Sequence, residues 1–231
     1  MFMNSSIKVI AFDADDTLFK NEDYFQEARV KFEQILSEYS IKNLQEKLLY
    51  KQQTNLKDLG YGIKPTVMAM ADVAIEETNG KINSEKIGDI LNIAKDIAAK
   101  PIELLSGVKE TLKQLYNQYK LVVITKGDLL DQENKIKNSG LNKYFDHIFV
   151  VSEKDKRNYK RICEQLNILP NNLLMIGNSL KSDIIPAINI GAHAIHIPYS
   201  ITWEHEKISN NFNSDNFYKI KKITEILDCQ F

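Results

Sequence analysis

Five short apolar runs, at 7–12, 121–125, 147–151, 173–176 and 193–197, leave this chain little choice of fold. Each is too short for a helix. Several are almost continuously apolar, as strands covered on both faces are. Helical patterns accompany the last four: 108–119 after Gly107, 129–139 stopping at Gly140, 158–167 stopping before Pro170, and 183–189 stopping at Gly191. Gly and Pro at those places are helix stop signals. Strand and helix in alternation predict an α/β fold, a Rossmann-like doubly wound parallel sheet with right-handed crossovers. The tail at 217–227 is expected to add a short extended piece and a final helix.

The first run breaks the rhythm, because nothing strand-like follows it until residue 121. Instead Phe25, Ala28, Phe32, Ile35, Leu36 and Tyr39 recur at helical spacing, as do Ile87, Ile90, Leu91, Ala94 and Ile97. Gly60-Tyr61-Gly62, then Pro65, mark a bend between helices. The expected organisation is a core of 1–20 and 101–231, with an all-helical second domain, 21–100, inserted after the first strand. Such an insertion would sit over the end of that strand.

That end is acidic. Residues 7–19 read I-K-V-I-A-F-D-A-D-D-T-L-F, so three acids and a threonine fall within five positions of a stiff β-branched and aromatic strand. Open α/β sheets place ligands at the C-terminal ends of their strands. Carboxylates gathered there repel one another unless a positive charge sits among them, and a hard cation with oxygen ligands, typically Mg²⁺, is the simplest partner. Three further pieces end predicted strands: Thr125, the lysines of E-K-D-K at 153–156, and Gly177-Asn178-Ser179 with Asp183. Two carboxylates, a metal, a hydroxyl and an ammonium together suit a phosphoryl group. A carboxylate attacking a phosphate dianion meets like-charge repulsion, which a cation and further donors must offset.

Those residues resemble the haloacid dehalogenase (HAD) superfamily. The matching segments are D-A-D-D-T at 13–17, Thr125 in L-V-V-I-T-K-G-D, a lysine in E-K-D-K, and G-N-S-L-K-S-D at 177–183. The likeness runs over essentially the whole chain, and the helical insertion resembles the C1-type cap of that family. It implies Mg²⁺-dependent hydrolysis of small organic phosphate monoesters through an aspartyl-phosphate on Asp13. Asp15 would be the acid and base, Thr125 would bond a phosphate oxygen, and Asp13, the Asp15 carbonyl and Asp183 would ligate Mg²⁺. Backbone amides of the 13–16 turn would cradle phosphate oxygens. Thr17 and Lys126 join the substrate-binding candidates, as do Tyr61 and Lys64 in the cap bend. An acid at position 15 favours phosphoryl transfer over dehalogenation. A phosphomutase, a phosphonatase, a dehalogenase or a decayed phospho-ligand-binding module are the alternatives.

The chain departs from the family pattern twice. Asn178 stands where an acid is commoner, which removes one negative charge from the metal shell and predicts weaker metal binding. The lysine is not followed by proline; Lys154 is nearer the strand end, and Lys156 is the alternative.

Composition bounds the partners. A formal net charge of −1 favours neither nucleic acid nor an anionic membrane surface, and the basic run from Lys154 to Arg161 reads as a solvated helix face. Two cysteines far apart, Cys163 and Cys229, suggest no disulfide framework, and M-F-M-N-S-S lacks a basic stretch followed by an apolar one. A cytoplasmic enzyme of small phosphorylated metabolites is expected, its oligomeric state unreadable. His193 and His196 should face opposite ways along a strand. His205 and Glu206 read as surface, Asp128 as a helix N-cap, Asp16 as a turn stabiliser, and Trp203 as packing.

Overall fold

The computed structural model describes residues 6–206 and 212–229; the opening M-F-M-N-S, read above for leader signals, lies outside them. The chain divides into two compact units, residues 1–22 with 102–231, and residues 23–101. In chain order the elements begin with β1 (Val9–Phe12), α1 (Glu22–Ile35), α2 (Leu44–Leu59), α3 (Ile63–Glu77) and α4 (Ser84–Ala98). There follow α5 (Val108–Leu115), β2 (Lys120–Lys126), α6 (Leu129–Asn138), β3 (His147–Val151), α7 (Lys156–Leu166) and β4 (Leu173–Gly177). After β4 come a π-helical turn (Leu180–Ile184), α8 (Ile185–Ile188), β5 (His193–His196), β6 (Phe217–Lys219) and a 3₁₀ helix (Ile223–Asp228).

The first unit is a parallel sheet in the order β3-β2-β1-β4-β5-β6. Side chains alternate across a strand, so near-continuous apolar runs need cover on both faces. They have it. Val9 and Ala11, with Val122, Ile124, Leu173 and Met175, pack against Tyr159, Ile162, Cys163 and Leu166 of α7. Ile10 and Phe12, with Leu121, Val123, Leu174 and Ile176, pack on the other face against Val108, Leu112 and Leu115 of α5, Ile136 of α6, and Ile223 and Ile226. Each large side chain so buried contributes roughly 1.5–3 kcal/mol.

Helix ends differ from the sequence reading where caps decide them. Helix α7 starts at Lys156 because the Asp155 side chain accepts from Asn158 N at 2.7 Å. The helix expected over 183–189 is a π turn followed by the short α8. The tail supplies β6, parallel to β5, and a 3₁₀ rather than an α-helix.

In the second unit α1–α4 enclose Phe32, Leu36, Leu48, Met70, Val73, Ile90 and Ile93. Of the α4 stripe, Ile90 and Ile97 turn inward, joined by Ile93, which the spacing did not single out, while Leu91 is half exposed. Gly60 and Gly62 make the bend with φ of +71° and +112°, whereas Pro65 lies in the first turn of α3, where its missing N–H is no loss.

Register brings the strand ends into line. Phe12 pairs with Val123 and with Ile176, so Asp13 emerges between the ends of β2 and β4.

Candidate active site

Asp13 N donates to Ile176 O at 2.8 Å, which carries the ladder one residue past β1. The chain then turns back on itself. Leu18 N donates to Ala14 O at 2.9 Å and Asp16 N to Phe19 O at 2.8 Å, with Asp16 in the left-handed region at φ +59°. Two of the turn amides are therefore spent within the fold. The Ala14 and Asp15 amides make no hydrogen bond to a described residue, so the anion cradle expected over 13–16 narrows to these two. The buried Asp16 carboxylate accepts from Asn21 N at 2.8 Å and Glu22 N at 3.1 Å, where α1 begins. Burial, with repulsion from Asp15, pushes its pKa up to about 8.

Lys154 is 4% exposed, and its ammonium joins Asp13 Oδ1 and, at 2.6 Å, Asp183 Oδ1. Burial alone would lower the Lys154 pKa, but Asp13 and Asp183 together raise it above the ordinary lysine value. Asp13 is pushed up to about 7 by burial and by the Asp183 charge, against the pull of Lys154. Lys156 is exposed at the head of α7, with Arg157, Lys160 and Arg161 also exposed on that helix. The basic run is thus split, one lysine inside and the rest in water.

Asp183 is held from three directions. Its Oδ2 accepts from Ser179 N at 2.9 Å, Tyr159 Oη donates to its carbonyl at 3.4 Å, and its side chain rests on Gly177. A Cβ at Gly177 would fall 2.6 Å from the Asp183 Cβ, so only glycine ends β4 here. The Thr17 hydroxyl lies between Asp13 Oδ2, at 3.2 Å, and Asn178 Oδ1, at 3.4 Å. Asp13 is thus linked to Asp183 through Lys154 and to the Asn178 amide oxygen through Thr17, and the two acids share one positive centre. Among the described residues no three His, Cys, Asp or Glu side chains form a metal cage. An oxygen set this sparse fits a hard ion that keeps several waters, as Mg²⁺ does. Thr125 is buried one residue before the end of β2, and its hydroxyl donates to the Lys126 carbonyl at 3.4 Å.

Sequence reasoning missed the partners of Asp15. Gln132 Nε2 donates to Asp15 Oδ2 at 2.8 Å, and Lys135 Nζ to Asp15 Oδ1 at 2.7 Å and to Asn21 Oδ1 at 2.9 Å. Gln132 and Lys135 are three apart on α6, hence on one face, and Asp128 caps that helix at Asp131 N as expected. The available signal was this spacing in a helix that starts at a strand end.

Glu206 was expected at the surface, and the structure corrects this. Its side chain is 13% exposed, and its Oε1 accepts from Lys126 Nζ at 2.7 Å. Its Oε2 accepts from Ser182 Oγ at 2.6 Å and from Ser179 Oγ. Lys126 therefore points at Glu206, Ser182 (2.8 Å) and Glu153 (3.5 Å). His196 shares a 2.9 Å hydrogen bond with Asn178 O, while His193, also buried, lies at the start of the same strand. Trp203 packs its ring 5.1 Å from that of His205. Tyr61 lies in the bend before α3 and Lys64 in its first turn, both in the second unit.

Comparison with known proteins bears on this geometry. Residues 7–191 match the family model of haloacid dehalogenase-like hydrolases. N-acylneuraminate-9-phosphatase of Rattus norvegicus is 26% identical over 204 residues, 82% of either chain. Pyrimidine 5'-nucleotidase PynA of Streptococcus pneumoniae is 25% identical over 233 residues, 96% of this chain and 94% of that one. A solved haloacid dehalogenase-like family hydrolase from Xanthomonas campestris superposes with a TM-score of 0.87 at 37% identity, over 95% of this chain and 88% of its own.

Proposed function

Given that the chain belongs to the haloacid dehalogenase-like hydrolases, we propose that it is a Mg²⁺-dependent phosphatase of small phosphate monoesters working through an aspartyl-phosphate on Asp13. Its kinship with proteins named as phosphatases gives the reaction in coarse form, hydrolysis of a phosphate ester. The observation that carries the finer reading is one buried ammonium, Lys154, joining the Asp13 and Asp183 carboxylates beside two unspent amides.

An Asp13 oxygen attacks phosphorus and the alcohol departs with a proton from Asp15. The same Asp15 then takes a proton from a water, which attacks the phosphorus and frees Asp13 and inorganic phosphate. Lys154, Thr125 and the Ala14 and Asp15 amides hold the phosphoryl oxygens. Asp13, Asp183, the Asp15 carbonyl and Asn178, directly or through water, would hold Mg²⁺, which would supply charge neutralisation there. Thr17 orients Asp13 through its hydroxyl. Lys126, Tyr61 and Lys64 are assigned to the rest of the substrate. An acid at position 15 sets this reading above dehalogenation, whose halide needs no proton donor.

The setting is the cytoplasm. Both cysteines are free thiols, and among the described residues no helix is long and apolar enough to cross a membrane. The test is release of p-nitrophenol from p-nitrophenyl phosphate with Mg²⁺ and with excess EDTA. Turnover that EDTA abolishes supports the proposal, and turnover that persists in EDTA removes its metal.

A further inference from the structure

We propose that Glu206 is a positioning residue for the metal-binding turn, holding Asp183 in place through Ser179 and Ser182. This rests on the reading that Asp183 ligates Mg²⁺.

Asp183 sits in a π-helical turn, Leu180–Ile184, a geometry seldom stable on its own and frequent at functional sites. The Ser179 carbonyl accepts from both Asp183 N at 2.9 Å and Ile184 N at 3.2 Å, so the turn is anchored at Ser179. A relay of hydrogen bonds holds that anchor and Asp183 together. Ser179 N donates to Asp183 Oδ2 at 2.9 Å, and Ser179 Oγ accepts from Ser182 N at 3.1 Å. Both serine hydroxyls then donate to one oxygen of Glu206. The other Glu206 oxygen is taken by Lys126 at 2.7 Å, and Lys126 also donates to Ser182 Oγ at 2.8 Å.

The turn is thereby tied to the end of β2 by a charge that arrives from a separate 3₁₀ turn, Glu204–Glu206, beyond β5. Burial would raise the Glu206 pKa, yet Lys126 and the two hydroxyls bring it down to about 2, so the clamp stays ionised wherever the enzyme works. Outer groups that orient metal ligands typically govern affinity by about 10- to 100-fold.

The experiment is calorimetric titration of Mg²⁺ into metal-stripped wild type, Glu206→Ala and Glu206→Gln, with thermal melts in EDTA. Glu206→Ala should bind Mg²⁺ at least about tenfold more weakly. Glu206→Gln, which still accepts from both hydroxyls but loses the charge facing Lys126, should fall between. Should Glu206→Ala fail to fold, Glu206→Gln alone decides, with weaker binding required. Folded variants with wild-type Mg²⁺ affinity overturn the clamp, even if their melting points fall. A wild type that binds no Mg²⁺ overturns the metal reading itself and takes the clamp with it, so the two failures are told apart.

Discussion

Lys154 Nζ lies 2.6 Å from Asp183 Oδ1 and reaches Asp13 with the same charge, so one buried cation serves two buried acids. An uncompensated charge in such a place is costly. Lys154→Met should destabilise the metal-free protein by about 3–5 kcal/mol, the usual cost of breaking a buried pair from one side. Mg²⁺ should restore part of that, since it would bring positive charge back between the acids. Denaturant melts in EDTA and in Mg²⁺ check both statements. A loss of equal size in both solutions contradicts the second.

Lys135 and Gln132 occupy both Asp15 oxygens at 2.7 and 2.8 Å. If Asp15 protonates the leaving oxygen, its placement matters most for poor leaving groups. Lys135→Met should slow hydrolysis of a simple alkyl phosphate at least about tenfold more than that of p-nitrophenyl phosphate. Equal slowing of the two esters counts against a role in proton transfer.

Asp16 titrates in the direction opposite to a paired surface acid. Its folded pKa is about 8 against an ordinary 3.8, because burial and Asp15 disfavour the charge. Between those values the native state holds the proton that the unfolded chain has released. The contribution of Asp16 is therefore complete below about pH 4 and is lost as pH rises through about 8. Asp16→Asn removes that slope, so the variant should gain on wild type by about 1 kcal/mol per pH unit over this window. Urea unfolding at pH 5 and pH 8 reads the gain. A difference that stays constant between the two would show that Asp16 is already ionised in the fold.

Much of the site was legible because it is local. Asp13, Asp15 and Thr17 follow a strand whose apolar run is unmistakable, and Thr125 and Gly177 end two others, so a parallel sheet alone aligns them. The different settings of Lys154 and Lys156 come from a cap. Asp155 starts α7 at Lys156, three residues before Tyr159 opens the apolar stripe, which leaves Lys154 outside the helix and turns Lys156 to water. Glu206 and Lys135 were not legible. Their partners lie 80 and 120 residues away, and a lone acid or a helix lysine carries no sign of which distant charge it will meet. Leu91 misled for a simpler reason: its neighbours Ile90, Ile93 and Ile97 complete the inward stripe without it.

The proposed mechanism requires Asp13 to be phosphorylated during turnover, and acid-quenched enzyme reports on it directly. Wild type mixed with p-nitrophenyl phosphate and Mg²⁺, quenched within a turnover and digested, should yield a phosphorylated peptide containing Asp13. The Asp13→Asn protein, folded by its melting profile, should yield none, with turnover down on the order of a thousandfold or more. Rapid turnover by Asp13→Asn, or a phosphoryl group on another residue, would contradict the account.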